Sequence, residues 1–173
     1  MTAKVLSELE VKRVYKAIQL GTHKERNRLI FSFGLNAGLR SCELCNLKVS
    51  DVIDDGNKVK QVINLKKEQV KGNKSNSIYI SDKLKKEILR YITTQPGKLT
   101  NRNDWLFKTQ KRTQFKAQSM QLLIKTVCEN ANVFDVTSHS LRKTFITELS
   151  NKMISARVIQ KIARHSSLAI TQL

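Results

Sequence analysis

The 173-residue chain contains one proline and three cysteines, and aromatic residues fill only 6% of its positions. A single proline excludes a proline-rich linker, and three cysteines exclude a disulfide-built scaffold. Acidic residues are scarce as well: 14 Asp and Glu stand against 32 Lys and Arg, for a net charge of +18. No apolar run approaches the roughly 18 residues that a membrane span requires, and Leu29–Phe31 is typical of those present. The first twenty residues carry Glu8, Glu10, Lys12, Arg13 and Lys16 inside an amphipathic pattern, which is not that of a signal peptide. These absences point to a cytoplasmic protein with no membrane partner. With 40% hydrophobic residues the chain can bury a substantial core, and its length fits one domain.

The charge is unevenly distributed. Residues 1–57 hold 9 basic and 7 acidic side chains, a net of +2, whereas residues 58–173 hold 23 and 7, a net of +16. A merely solvated surface would mix the signs. The excess therefore points to a polyanion, nucleic acid before an acidic membrane surface, met by the second two-thirds of the chain.

Hydrophobic periodicity predicts a mainly α, α+β domain. Ser7 and Glu10 have capping-box spacing ahead of Val11, Val14, Tyr15 and Ile18, and Gly21 ends that helix. A second helix is expected over about 25–36, stopping at Ala37-Gly38, and a third from Ser41 to before Asp51. After the turn Asp54–Asn57, the segments around Val59, Val62-Ile63 and Ile78–Ile80 read as a small antiparallel three-stranded sheet near residues 58–81. Lys71–Lys74 forms its hairpin turn. Asp82 is the expected cap of a helix bearing Leu84, Ile88, Leu89 and Ile92, which Pro96-Gly97 terminates. Further stripes run over Met120–Cys128, over Leu141–Leu149 with Ser138 as cap, and over Val158–Ala163 opened by Ser155.

Few familiar chemistries fit. Cys42 and Cys45 form a CxxC, but the remaining cysteine is distant and no histidine is close in sequence, so core or half-buried thiols are expected rather than a zinc or redox site. Asp51, Asp54 and Asp55 flank a turn, where such residues are common, and no GxxxxGK[ST] is present. Neither a metal nor a nucleotide cofactor is implied. What remains is cationic. Arg40 precedes a helix start, His139 and Arg142 are three apart at another, Lys71 sits on the hairpin turn, and His165 closes a helix. Each also has a plain structural reading: Arg40 paired with Glu43, a histidine that only packs, a solvated lysine.

Their order along the chain is more specific. Gly38-Leu39-Arg40-Ser41-Cys42-Glu43-Leu44 resembles the first arginine motif of the tyrosine recombinases, the phage-integrase family. Lys71–Lys74 followed by Ile78–Ile80 resembles that family's β-hairpin lysine segment. His139–Thr147 is similar to its HxLRxTFxT motif, and Arg164-His165-Ser166-Ser167-Leu168 with Thr171 to its GHss…T segment. The resemblance runs from about Leu6 to the end of the chain and concerns the catalytic domain alone. A preceding core-binding domain and a following C-terminal tail are expected to lie outside it.

This resemblance implies metal-independent DNA cleavage and rejoining through a 3′-phosphotyrosine. Arg40 and Arg142 would clamp the scissile phosphate, their planar forks matching its oxygens and staying charged at any working pH. Lys71 would protonate the departing 5′ oxygen, His139 would assist proton transfer involving the tyrosine, and His165 would donate to the phosphate. Glu43 is expected to hold an arginine in place. Lys74, Lys143 and Arg164 are expected to contact the DNA backbone. The implied partners are double-stranded DNA and further protomers assembled on paired sites, with the C-terminal tail exchanged between them. Nucleoid association in a bacterial host follows. Two features depart from the family. Arg164 stands where glycine is usual, and the nucleophilic tyrosine would fall at about position 174, one beyond Leu173. A non-catalytic DNA-binding protein that kept the fold, and a type IB topoisomerase-like enzyme, are the alternative readings.

Overall fold

The computed structural model describes residues 3–66, 76–94 and 101–164. Eight helices and two strands follow one another in these segments: α1 (Glu8–Leu20), α2 (Lys24–Ala37), α3 (Ser41–Cys45), α4 (Val49–Val52), β1 (Val62–Leu65), β2 (Asn76–Tyr79), α5 (Asp82–Thr93), α6 (Ala117–Asn130), α7 (Ser138–Asn151) and α8 (Ala156–Ala163). The mainly helical reading with a small antiparallel sheet holds.

α2 is the axis of the domain. It is buried almost all round, from Arg26 to Ala37, which marks a core helix rather than a surface one. α1, α5 and α7 pack around it. Ser7 and Glu10 close the expected capping box on α1, with Ser7 N–H donating to Glu10 Oε2 at 2.9 Å, and α1 buries Val14 and Ile18. α5 presents Leu84, Ile88 and Tyr91 to the core, while Leu89 is left 41% exposed. Between them Phe107 takes Phe33 edge-on and Tyr91 at a tilt, both at 6.1 Å between ring centroids. Tyr91 Oη donates to the Leu106 carbonyl at 3.1 Å, so the brief apolar segment Trp105–Phe107 nails the loop after α5 onto α2.

Three expectations need adjustment. The single helix from Ser41 to Asp51 is two short ones, because the 101–106 loop pairs with the backbone between them. Leu106 N–H donates to the Leu47 carbonyl at 2.8 Å, Val49 N–H to Asp104 at 3.0 Å, and Lys48 bridges Trp105. The sheet has two strands among the described residues instead of three, paired Val62 with Tyr79 through Leu65 with Asn76. Val59 forms only an isolated bridge to Ile53, since the chain turns onto α4 there, with Lys60 N–H bonded to the Val52 carbonyl at 2.9 Å. Finally, two caps sit one residue earlier than expected: Ser81, whose Oγ accepts from Leu84 N–H, and Thr137, whose N–H donates to Ser140 Oγ. Among the described residues no helix is long and apolar enough to cross a membrane.

Candidate active site

The site is built where α2 ends. Gly38 terminates α2 at φ +60°, the left-handed conformation that glycine adopts without steric cost, and its N–H closes on the Gly34 carbonyl at 3.2 Å. A β-carbon on Gly38 would come within 2.7 Å of the Phe145 ring, so the residue is also required by the approach of α7. One turn earlier, a β-carbon on Gly34 would lie 2.8 Å from Leu141. These two glycines bring α7 against α2 at the level of Leu141, and the next residue, Arg142, is thereby delivered to the end of α2.

After Gly38 the chain runs through buried Leu39 to Arg40, which is extended and starts α3. Glu43, fully buried, reaches back: its Oε2 accepts from the Arg40 backbone N–H at 2.8 Å and its Oε1 from Arg40 Nη1 at 3.0 Å. The expected arginine-holding role of Glu43 is thus in place, and so is the pairing of Arg40. The two readings are compatible, because the Arg40 side chain remains 29% exposed.

Arg142 is 5% exposed. Its Nη1 donates to the Gly38 carbonyl at 2.6 Å and its Nη2 to the Ala163 carbonyl at the end of α8. Arg164, just beyond α8, aims inward from a left-handed backbone at φ +55°. Its Nη2 bonds Glu43 Oε2 at 2.9 Å and the Gly38 carbonyl at 3.1 Å, and its Nη1 lies 3.4 Å from the Ala37 carbonyl. Two guanidiniums, those of Arg40 and Arg164, therefore meet on the Glu43 carboxylate and a third, that of Arg142, lies beside them on backbone carbonyls, so that among the described residues three cations are grouped around one acid. Burial, and then the neighbouring Arg40 and Arg164, push the Arg142 guanidinium down to about 9 against the opposing pull of Glu43. It remains charged at neutral pH, with less margin than an exposed arginine has. Two buried donors here, Ser41 Oγ and Arg164 Nε, have no partner among the described residues.

Such an arrangement is unfavourable by itself, since an uncompensated buried charge costs several kcal/mol. It becomes favourable with an anion at its mouth, and a tetrahedral oxyanion with several acceptor lone pairs suits a fan of guanidinium donors.

The other expected residues divide in two. His139 is exposed on the first turn of α7, one turn ahead of Arg142, and Lys143 is half-buried beside it. Lys71, Lys74 and His165 lie outside the described residues. Arg164 is described, but its side chain is only 3% exposed and engaged with Glu43, which turns it away from a backbone contact at the surface. Sequence reasoning did not foresee this; the available signal was a bulky cation at a helix end where the backbone turns left-handed. The Cys45 thiol is free, and burial pushes it up to about 12, consistent with a packing role. Of the tyrosines, Tyr15 bonds Ser32 Oγ at 3.0 Å, Tyr91 is buried in the core, and Tyr79 is exposed on β2.

Comparisons with known proteins identify the family and the fold. The chain is 31% identical to the tyrosine recombinase XerA of Pyrococcus horikoshii, covering 98% of this chain and 55% of that protein. It is 32% identical to XerA of Pyrococcus furiosus, covering 98% and 56%. It therefore spans about half the length of these relatives. The crystal structure of a XerA recombinase superposes with a TM-score of 0.80 at 31% identity, over 99% of this chain and 60% of that one. A Tn1549 transposon integrase in complex with transposon right-end DNA shares the fold at a TM-score of 0.77 and 20% identity, over 99% and 61%. The family model described as the phage integrase family matches residues 4–173, and to that family, the tyrosine recombinases, this chain belongs.

Proposed function

We propose that this chain is the catalytic domain of a site-specific DNA recombinase, which cuts and rejoins duplex DNA through a 3′-phosphotyrosine. The observation that carries the reading is the arginine cluster, in which Arg40, Arg142 and Arg164 surround the single carboxylate of Glu43. Attack on a phosphodiester builds negative charge on the non-bridging oxygens, and preorganised donors in a dry site stabilise that charge. In this reading Arg40 and Arg142 grip the phosphate. The exposed His139 lies near enough along α7 to serve proton transfer, Lys71 protonates the leaving 5′ oxygen, and His165 donates a further hydrogen bond. No cofactor is called on. The nucleophile is a tyrosine at about position 174, in a polypeptide that continues past Leu173.

The bound substrate is double-stranded DNA, held by the net +16 of residues 58–173, with Lys74 and Lys143 on its backbone. Protomers assemble on paired sites and exchange C-terminal tails, at the nucleoid. The test is a suicide duplex carrying a nick near the cleavage position. The polypeptide that includes the tyrosine should form a covalent adduct, mapped by mass spectrometry to that residue, and the 173 residues alone should bind without forming one. An adduct on Tyr15, Tyr79 or Tyr91 would contradict the assignment. Lys71→Ala should recover on a substrate whose leaving oxygen is replaced by sulfur, because a thiolate departs without a proton. A variant equally slow on both substrates would limit Lys71 to holding DNA.

A further inference from the structure

Arg164 occupies a backbone position that does not favour it. At φ +55° and ψ +43° it is the left-handed residue closing α8, where a side chain with a β-carbon costs about 1 kcal/mol relative to glycine. Its guanidinium is nonetheless drawn inward, 3% exposed, between a fully buried carboxylate and two backbone carbonyls at the end of α2. One of its own donors, Nε, is buried without a partner among the described residues. A residue kept for surface contact with DNA would point out.

We infer that Arg164 is a positioning residue of the arginine cluster: it fixes Glu43, and through Glu43 orients Arg40, while tying the end of α8 to the α2–α3 corner. The route is short. Glu43 divides its two oxygens, Oε2 receiving Arg164 and the Arg40 backbone N–H, Oε1 receiving the Arg40 guanidinium. Held from the α8 side, the carboxylate has one orientation in which it can present Oε1 to Arg40. The Gly38 carbonyl adds a second link, since it accepts from both Arg142 and Arg164, so both helices that bring arginines to the site are tied to the same peptide. Without Arg164, Glu43 would rotate within its pocket and Arg40 would sample orientations unsuited to phosphate.

This inference rests on the cleavage reading above, and its test separates the two. In the full-length polypeptide, Arg164→Gly suits the left-handed backbone, which offsets part of the lost pair with Glu43, and at a temperature where the variant remains folded it should leave duplex affinity near that of the parent. Arg164→Asn, which also tolerates that conformation, serves if the glycine variant does not fold. Single-turnover cleavage of the suicide duplex should fall about 10-fold or more, as expected when a catalytic donor is displaced by a fraction of an ångström. In an Arg40→Ala background the same substitution should cost little further, because its effect passes through Arg40. Losses that multiply in the double variant would overturn the inference in favour of a direct phosphate contact, and so would undiminished cleavage in Arg164→Gly. Independently of cleavage, the Arg40 Nε–H resonance of the unliganded protein should shift and broaden in Arg164→Gly, and an unchanged resonance would overturn the proposal even if the cleavage reading stands. Normal cleavage by Arg40→Ala would sink the cleavage reading instead, leaving that resonance to decide whether Arg164 orients Arg40.

Discussion

The two ends of α2 handle buried charge in opposite ways. Toward α5, cations are matched one to one: Arg28 grips Glu87 with Nε at 2.6 Å and Nη2 at 2.7 Å, and Arg90 reaches back to Glu25 at 3.0 and 3.2 Å. Even Arg26, which has no carboxylate partner among the described residues, donates to Asn27 Oδ1 and the Lys108 carbonyl and lies over the Phe115 ring. At the α7 end Arg40 and Arg164 share Glu43 while Arg142 is held by backbone carbonyls, and two buried donors have no partner among the described residues. The first arrangement locks two helices together and asks nothing of solvent. The second carries more cations than acids, which is what the proposed phosphate clamp requires. Arginines thus surround both ends of one helix, matched by carboxylates at one end and in excess over them at the other, and the balance of charge tells the two ends apart.

That contrast can be broken most severely at Glu43. Glu43→Gln removes the one negative charge beneath three arginines, and breaking a buried charge pair costs about 3–5 kcal/mol. For a domain of this size the melting temperature should fall by about 6–20 °C, measured by calorimetry. A shift under 2 °C would mean that the cluster is wetter and weaker than its geometry indicates. Gly38→Ala comes next. The left-handed φ and the 2.7 Å approach of Phe145 should together cost about 2–3 kcal/mol, read from urea unfolding, and an unchanged midpoint would show that α7 can withdraw without penalty. At the other end of α2, Glu87→Gln should cost only about 1 kcal/mol or less, because Arg28 and Glu87 are each partly exposed. Duplex binding and cleavage should both survive it. If Glu87→Gln impaired cleavage as strongly as a change in the cluster, the distinction between the two ends would fail.

Much of this layout could be read before any coordinates. The Arg40 motif and the His139–Arg142 motif fell at the expected helices, because glycine, capping residues and 3.6-residue periodicity are local signals. Gly38 ended α2 as anticipated, and the Ser7–Glu10 box started α1. What could not be read depended on partners distant in the chain. The break between α3 and α4 comes from hydrogen bonds to residues 102, 104 and 106, which no local propensity reports. Val59 has the character of a strand residue, yet it meets only Ile53 because the chain must turn onto α4. The inward direction of Arg164 was the least legible feature. Its direction follows from a left-handed cap together with a carboxylate 121 residues away in sequence, and the sequence alone offered only its charge.

The central claim, that the α7 end of α2 is a phosphate clamp, is tested most directly by single-turnover cleavage of a suicide duplex by the full-length protein. Arg40→Ala and Arg142→Ala should each slow the chemical step by about 10²–10³-fold, as loss of a preorganised oxyanion donor does elsewhere. Arg28→Ala, at the balanced end, should leave the rate within a few-fold, and duplex affinity should change little in all three because many other cations share the backbone contacts. Cleavage at the parental rate by both clamp variants would contradict the account.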